Sequence, residues 1–174
     1  VIFDLEAILQ EQRELGRATI AEVYKEDGAK FGESERVLRI NNLGSEDLVK
    51  DLALAKTIEL DALLFSKIQT KEDVLEAVRL TEEVNPNLSL MIMIETPLSV
   101  LNIHEICAAS PKVEVVVVGS NKLANRLHID IKKGSKAMFN YLSQIALASK
   151  AYGKTVIDGP HFDVNDEFAC EDST

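Results

Sequence analysis

Polar and charged side chains follow each of the six apolar runs of this sequence, where a β-strand would end. Chemistry in parallel α/β folds gathers at the carboxyl ends of strands, so we expect these groups to share one rim. Surface ion pairs would explain some of the charges, whereas six strand ends in succession favour a site. The groups are Asp4-Leu5-Glu6, Arg39 with Asn41, Ser66-Lys67, Glu95-Thr96-Pro97, Gly119-Ser120-Asn121-Lys122 and Asp158-Gly159-Pro160-His161.

Arg39 and Glu95 are the positions that point most directly to a ligand. Arg39 alternates with the apolar Leu38 and Ile40, and a guanidinium on a central strand is costly unless a carboxylate or phosphate meets it. We therefore predict that Arg39 binds an anion. Glu95 directly follows an apolar run, where a carboxylate could bind a divalent cation or pair with a base. The alternative is a salt bridge from Glu95 to Arg39 or Lys122 without a metal ion.

Short β-branched runs alternate along the chain with longer amphipathic segments. Thr70 with Asp73 is typical of a helix N-cap, and Gly153 is typical of a C-cap glycine. Strands are predicted at Val1–Asp4, Arg36–Asn41, Asp61–Ser66, Leu88–Ile94, Val113–Val118 and Thr155–Ile157. Helices are predicted at Leu9–Glu26, Ser45–Ile58, Lys71–Val84, Ser99–Ala109 and Ser135–Tyr152.

Six strands with long connections predict a parallel α/β sheet with right-handed crossovers. An open doubly wound sheet and a (β/α)₈ barrel both fit this pattern. A barrel typically needs about 250 residues and eight strands, so the barrel requires that strands are absent from this chain of 174 residues. The chain starts directly on the strand-like Val1-Ile2-Phe3, from which we expect residues to be missing upstream.

Composition and charge argue against several classes of partner. Hydrophobic residues make up 46% and charged residues 28% of the chain, which is typical of a folded domain. The net charge of −10 gives no overall attraction to nucleic acid or an acidic membrane, and no apolar run reaches the roughly 18 residues of a membrane span.

We interpret Lys132, Lys133 and Lys136 as a solvated helix start. Cys107 is predicted to be a small buried hydrophobe, and Cys170 lies in an acidic segment.

The same strand ends carry a resemblance to the citrate lyase beta-subunit family of the HpcH/HpaI aldolase superfamily, which includes citramalyl-CoA, malyl-CoA and citryl thioester lyases. The matching segments follow the family's order across nearly the whole chain. They are Val1–Glu6, Val37–Asn41, Phe65–Lys67 with Thr70–Val74, Ile94–Pro97 with Val100–Asn102, Val117–Ala124 and Ile157–Pro160. The resemblance implies a (β/α)₈ TIM barrel, of which residues 1–174 would form one domain of about six βα units, without the first strand, the C-terminal strand and the lid.

The resemblance also implies a carbon–carbon lyase that cleaves a 3-hydroxyacyl thioester of coenzyme A or an acyl carrier protein into a keto acid and an acyl thioester. In the family, the glutamate matching Glu95 and an aspartate in a later turn hold magnesium, and the arginine matching Arg39 holds the keto-acid carboxylate. A cytoplasmic homo-oligomer, most often a trimer, is implied as well. The implied catalytic residues are Arg39, Glu6 and Lys67, and the implied substrate-binding residues are Arg39, Glu95, Thr96, Pro97, Ser120 and Asn121.

Two positions depart from the family's pattern. Lys122 stands at the position of the second magnesium ligand, and Ala7 replaces an acidic residue after Asp-Leu-Glu. A protonated lysine cannot bind magnesium, so its ammonium could pair with Glu95 where the metal ion would lie. Two interpretations therefore stay open. The chain is either a lyase with an altered metal site or a non-catalytic relative that binds an acyl thioester or a keto acid.

Overall fold

The computed structural model describes residues 1–27, 31–129 and 136–159. Lys132, Lys133, Pro160, His161 and Cys170 lie outside the described residues, as does the acidic C-terminal segment. The strands are β1 (Ile2–Asp4), β2 (Val37–Ile40), β3 (Ala62–Phe65), β4 (Ser89–Ile94), β5 (Val113–Val118) and β6 (Thr155–Ile157). After a 3₁₀ turn at Gln10–Gln12, the helices are α1 (Arg13–Asp27), α2 (Leu48–Ala55), α3 (Lys71–Val84), α4 (Pro97–Leu101), α5 (Ile103–Ala108), α6 (Ser120–Leu127) and α7 (Lys136–Ala151).

The six strands form one parallel sheet whose spatial order is the order along the chain. A doubly wound sheet instead reverses its strand order at a switch point, so the doubly wound alternative is wrong for this chain. Consecutive parallel order is the order of a (β/α)₈ barrel. Over the described residues the sheet is open, because β1 pairs only with β2, and β6 pairs only with β5.

The two faces of the sheet carry different hydrophobic clusters, because successive side chains of a strand point to opposite faces. One face packs against the helices, where Leu63 and Phe65 of β3 join Val74 and Ala77 of α3 in the main core. The other face carries a separate and smaller cluster that includes no residue of the described helices. Its buried members are Val37, Ala62, Leu64, Met91, Met93 and Val117. Arg39 lies on this second face, in alternation with Leu38 and Ile40.

Several local predictions are confirmed. Helix α3 has the predicted bounds, and Thr70 and Asp73 form a complete capping box at its start. Gly153 adopts a φ of +70° just after α7, which is the left-handed conformation expected of a C-cap glycine. Cys107 is buried in the helix-facing core. Within the described ranges, no helix combines the length and the apolar character that a membrane span requires.

One helix prediction was wrong, and one helix was missed. The single helix expected at Ser99–Ala109 is divided into α4 and α5 at Asn102, which leaves the helical conformation and donates a hydrogen bond of 2.9 Å to the Gln69 carbonyl. Helix α6 was not predicted, because its sequence is mostly polar and only Leu123 and Ala124 are buried. This short helix matters because it holds Lys122 at the sheet's carboxyl end.

Candidate active site

Six charged side chains from successive strand ends meet at the carboxyl end of the sheet. Three are carboxylates and three are cations, so their formal charges cancel. The predicted convergence of strand-end residues on one rim is thus confirmed. The carboxylates are Asp4, Glu6 and Glu95, and the cations are Arg39, Lys67 and Lys122.

Glu6 lies at the centre of this charged cluster and contacts all three cations. Its Oε2 accepts hydrogen bonds of 2.7 Å from Arg39 Nη2 and 2.7 Å from Lys122 Nζ. Its Oε1 lies 2.9 Å from Lys122 Nζ and 3.3 Å from Lys67 Nζ. Burial would raise the pKa of Glu6, but the hydrogen bonds from Lys122 and the charge of Arg39 outweigh burial and hold this pKa below its ordinary value. Glu6 is therefore ionised at neutral pH.

Asp4 fixes the loop that carries Glu6. One oxygen, Oδ1, accepts the backbone N–H groups of Glu6 and Ala7 at 2.9 and 3.0 Å. The other oxygen, Oδ2, accepts a hydrogen bond of 2.9 Å from Arg39 Nη1. Arg39 therefore bridges Asp4 and Glu6 with its two terminal nitrogens, and the two carboxylates orient its guanidinium on the face of the sheet that carries no described helix.

Glu95 is the most deeply buried of the charged groups, with 1% of its surface exposed. Its Oε1 accepts the backbone N–H of Lys67 at 3.0 Å, and Lys67 adopts a left-handed φ of +58°. Its Oε2 lies 3.4 Å from Lys122 Nζ and 3.9 Å from Arg39 Nη2. Among the described residues, this oxygen has no hydrogen-bond donor. Lys122 does pair with Glu95, as expected, but its shorter contact, of 2.7 Å, is with Glu6.

Two glycines allow the turn after β5 to approach Glu95 closely. A Cβ atom at Gly119 would lie 2.5 Å from the Cβ of Glu95, and one at Gly159 would lie 2.0 Å from the Ser120 hydroxyl oxygen. The Gly119 N–H also donates a hydrogen bond of 2.9 Å to the Ile94 carbonyl. These contacts hold the start of α6, and with it Lys122, against the carboxyl end of β4.

An open cleft of about 500 Å³ lies over the charged cluster, on the face of the sheet that carries no described helix. The charged side chains that line its wall are Asp4, Arg39, Glu95, Lys122 and Asp158, and Ser120 and Asn121 lie beside them. Apolar side chains such as Met93 form its floor. This volume and this mixture of apolar and polar groups are typical of a small-molecule site.

The structure places Thr96 and Pro97 at the start of α4, behind Glu95. Thr96 is buried, and its hydroxyl accepts the backbone N–H of Ser99 at 3.0 Å. Pro97 occupies the first helical position, which suits proline because that N–H has no helical partner. Neither residue lines the cleft, so their implied contacts with substrate stay predictions.

A buried network that the sequence analysis missed supports the strand ends from behind. Asp51 of α2 accepts hydrogen bonds from the backbone and side-chain amides of Asn41 at 2.9 and 2.8 Å. The Asn41 side chain also donates to the Leu5 carbonyl at 3.4 Å, and Arg17 Nη1 donates to Asp51 at 2.7 Å. Arg13 and Arg17 are four residues apart, which places both on one face of a helix. This spacing was the signal in the sequence that could have predicted a cationic face on α1.

The donor set of the cluster does not fit a magnesium ion. Magnesium prefers octahedral oxygen ligands at about 2.0–2.1 Å, whereas an ammonium group has three N–H donors and no lone pair to offer. Lys122 Nζ occupies the space between Glu6 and Glu95, at 2.7 Å and 3.4 Å from their Oε2 atoms. Within residues 1–27, 31–129 and 136–159, no three acidic, histidine or cysteine side chains group as metal ligands.

Comparisons with solved structures agree with the fold. RipC from Yersinia pestis superposes with a TM-score of 0.82 at 21% identity, over 99% of this chain and 74% of its own. The citrate lyase beta subunit from M. tuberculosis, complexed with oxaloacetate and magnesium, gives 0.80 at 22% identity with the same coverage. CitE from Mycobacterium tuberculosis with magnesium, acetoacetate and coenzyme A gives 0.80 at 23%, over 99% of this chain and 61% of its own.

Comparisons of sequence identify the family. A (3S)-malyl-CoA thioesterase of Cereibacter sphaeroides is 33% identical over 168 residues, which are 96% of this chain and 56% of the relative. The citrate lyase subunit beta of Haemophilus influenzae is 24% identical over 176 residues, with coverages of 96% and 60%. This chain therefore spans little more than half the length of these relatives. The sequence profile of the HpcH/HpaI aldolase/citrate lyase family matches residues 1–173, and the chain belongs to that family.

Proposed function

We propose that the cleft binds a 3-hydroxyacyl thioester of the coenzyme A type and cleaves its carbon–carbon bond into a 2-oxo acid and an acyl thioester. The observation that carries the proposal is the placement of the Arg39 guanidinium, on the face without a described helix, beside Lys122 and a buried carboxylate oxygen of Glu95. The names of the relatives support the substrate class, since one is a malyl-CoA thioesterase and another is a citrate lyase subunit.

Arg39 and Lys122 are suited to hold the acidic end of such a ligand. Both cations now contact the same oxygen of Glu6, each at 2.7 Å. A carboxylate of the ligand would take the place of this Glu6 oxygen on Arg39, because a guanidinium fork matches a carboxylate in shape and charge. Glu6 would keep its contacts with Lys122 and Lys67 through its other oxygen, Oε1.

Glu95 and Lys122 would supply the groups that an aldol-type cleavage of this thioester needs. Glu95 Oε2, which has no donor among the described residues, would accept the proton of the substrate's 3-hydroxyl group. As the carbonyl of the 2-oxo acid forms, the electron pair of the broken carbon–carbon bond passes into the thioester enolate. The Lys122 ammonium would stabilise the negative charge that develops on the 3-oxygen as its proton leaves. The proton on Glu95 would then return to the enolate carbon to give the acyl thioester.

A binding protein without cleavage activity is the second candidate, and two residues favour it. Ala7 offers no acid next to the cluster, and Lys122 supplies one positive charge with weaker polarising power than a divalent ion. In this second candidate, Arg39 and Lys122 would hold the ligand's carboxylate while Glu95 abstracts no proton. The two candidates bind the same thioester, and they differ only in whether the protein cleaves it.

We expect the chain to bind malyl-CoA more tightly than either free coenzyme A or malate, because only the thioester engages both the charged wall and the apolar floor. Calorimetric titration with the three compounds in the same buffer measures the three dissociation constants. Equal and weak binding of all three compounds would contradict both candidate functions.

A further inference from the structure

We infer that Lys122 is the resident cation of this cleft, so that the site holds its anionic ligand without a divalent metal ion. The inference rests on the proposed function for the identity of the ligand. Its own basis is the position of the ammonium group between Glu6 and Glu95, where the negative charges of two carboxylates converge.

The charges of the cluster are already balanced by side chains. Asp4, Glu6 and Glu95 contribute three negative charges, and Arg39, Lys67 and Lys122 contribute three positive charges. A magnesium ion would add two further positive charges within a few ångströms of three cations. It would also have to displace Lys122 from contacts of 2.7 and 2.9 Å with Glu6.

The turn that carries Lys122 is held close to Glu95. Gly119 packs so tightly against Glu95 that an added Cβ would lie 2.5 Å from the Glu95 Cβ, and its N–H is bonded to the Ile94 carbonyl at 2.9 Å. The backbone at the start of α6 therefore stays within reach of the two carboxylates. The side chain of Lys122 is 42% exposed, so its ammonium can contact both Glu6 and a ligand in the cleft.

This arrangement favours a ligand with a carboxylate next to an oxo or hydroxyl group. The terminal nitrogens of Arg39 and Lys122 both contact Glu6 Oε2 at 2.7 Å, so they are no farther apart than twice that distance. The carboxylate of a 2-oxo acid can bind Arg39 while its oxo group accepts a hydrogen bond from Lys122. Arg39 would thus bind the carboxylate, and Lys122 would bind the oxo oxygen, without a metal ion between protein and ligand.

The test is a paired titration of the unchanged chain and Lys122→Asp with magnesium alone, followed by pyruvate in EDTA and in magnesium. We expect no magnesium binding at millimolar concentration by the unchanged chain. Lys122→Asp gains an oxygen ligand, and its dissociation constant for magnesium should lie at least about tenfold below the limit measured for the unchanged chain. Pyruvate affinity of the unchanged chain should be equal in EDTA and in magnesium. Lys150→Asp is an identical charge change at an exposed residue in the last turn of α7 that does not line the cleft, and it should behave as the unchanged chain.

Lys122→Met keeps the test decisive if Lys122→Asp fails to fold, because it preserves the length and apolar stem of the side chain. It should lose about tenfold in pyruvate affinity in EDTA, the loss of one charged hydrogen bond. Full affinity in this variant, tight magnesium binding by the unchanged chain, or pyruvate binding that requires magnesium would each overturn the inference. Failure of the unchanged chain to bind either pyruvate or malyl-CoA would overturn the proposed function, while the magnesium titration would still decide the inference.

Discussion

Replacing Arg39 with lysine should weaken binding of malyl-CoA by at least about 100-fold, equivalent to about 2.7 kcal/mol of binding free energy. Lysine keeps the charge but cannot present two terminal nitrogens in a plane. In the structure, those nitrogens bond Asp4 at 2.9 Å and Glu6 at 2.7 Å. The variant therefore loses both the fork that would meet the ligand's carboxylate and the bridge that orients the Glu6 loop.

Calorimetric titration of the variant with malyl-CoA measures this loss. Arg79→Lys is the matched control, because Arg79 lies on the exposed surface of α3 and pairs with Glu76 of the same helix. The control should bind as the unchanged chain does. A change of less than about twofold in Arg39→Lys, with the fold intact by circular dichroism, would show that Arg39 does not hold the ligand.

Phe65→Ala should lower the free energy of unfolding by about 3–5 kcal/mol, since truncation of a buried phenylalanine leaves a cavity and loses apolar contacts. Phe65 is 0% exposed and ends β3 within the helix-facing core. A loss of this size is a large part of the stability of an ordinary domain, about 5–15 kcal/mol. Because Ser66 and Lys67 follow directly, the backbone N–H that holds Glu95 should also lose its position.

Denaturant unfolding monitored by circular dichroism tests the stability change. Phe139→Ala on α7 provides the same chemical change at a side chain that is 70% exposed, and it should alter the free energy of unfolding by less than about 0.5 kcal/mol. Equal effects of the two substitutions would contradict the assignment of the helix-facing core.

The four inner strands were predictable because most of their apolar residues are buried on both faces of the sheet. The clearest case is Val113–Val118, where the prediction and β5 have the same bounds. Capping chemistry placed α3 equally well, because Thr70 and Asp73 are local partners. By contrast, α6 has too few apolar residues to produce a helical pattern, and the close packing of Gly119 onto Glu95 just before it is a contact between residues distant in sequence.

The members of the charged cluster were predictable, but their partners were not. Parallel strands bring their carboxyl ends to one rim, and this geometry was sufficient to place Arg39, Glu95 and Lys122 together. The choice of Glu6 over Glu95 as the nearer partner of Lys122 depends on side-chain positions across 116 residues of sequence. The support of Asn41 by Asp51 is likewise a contact between a strand and a helix that no sequence spacing specifies.

Product analysis with malyl-CoA in EDTA tests the central claim most directly, because cleavage of different bonds releases different compounds. Carbon–carbon cleavage gives glyoxylate and acetyl-CoA in equal amounts, whereas thioester hydrolysis gives malate and free coenzyme A. We predict glyoxylate and acetyl-CoA, formed without magnesium and lost in Glu95→Gln, which removes the proposed proton acceptor. Release of malate and free coenzyme A, or tight binding of malyl-CoA with no product at all, would contradict the claim that this cleft breaks a carbon–carbon bond.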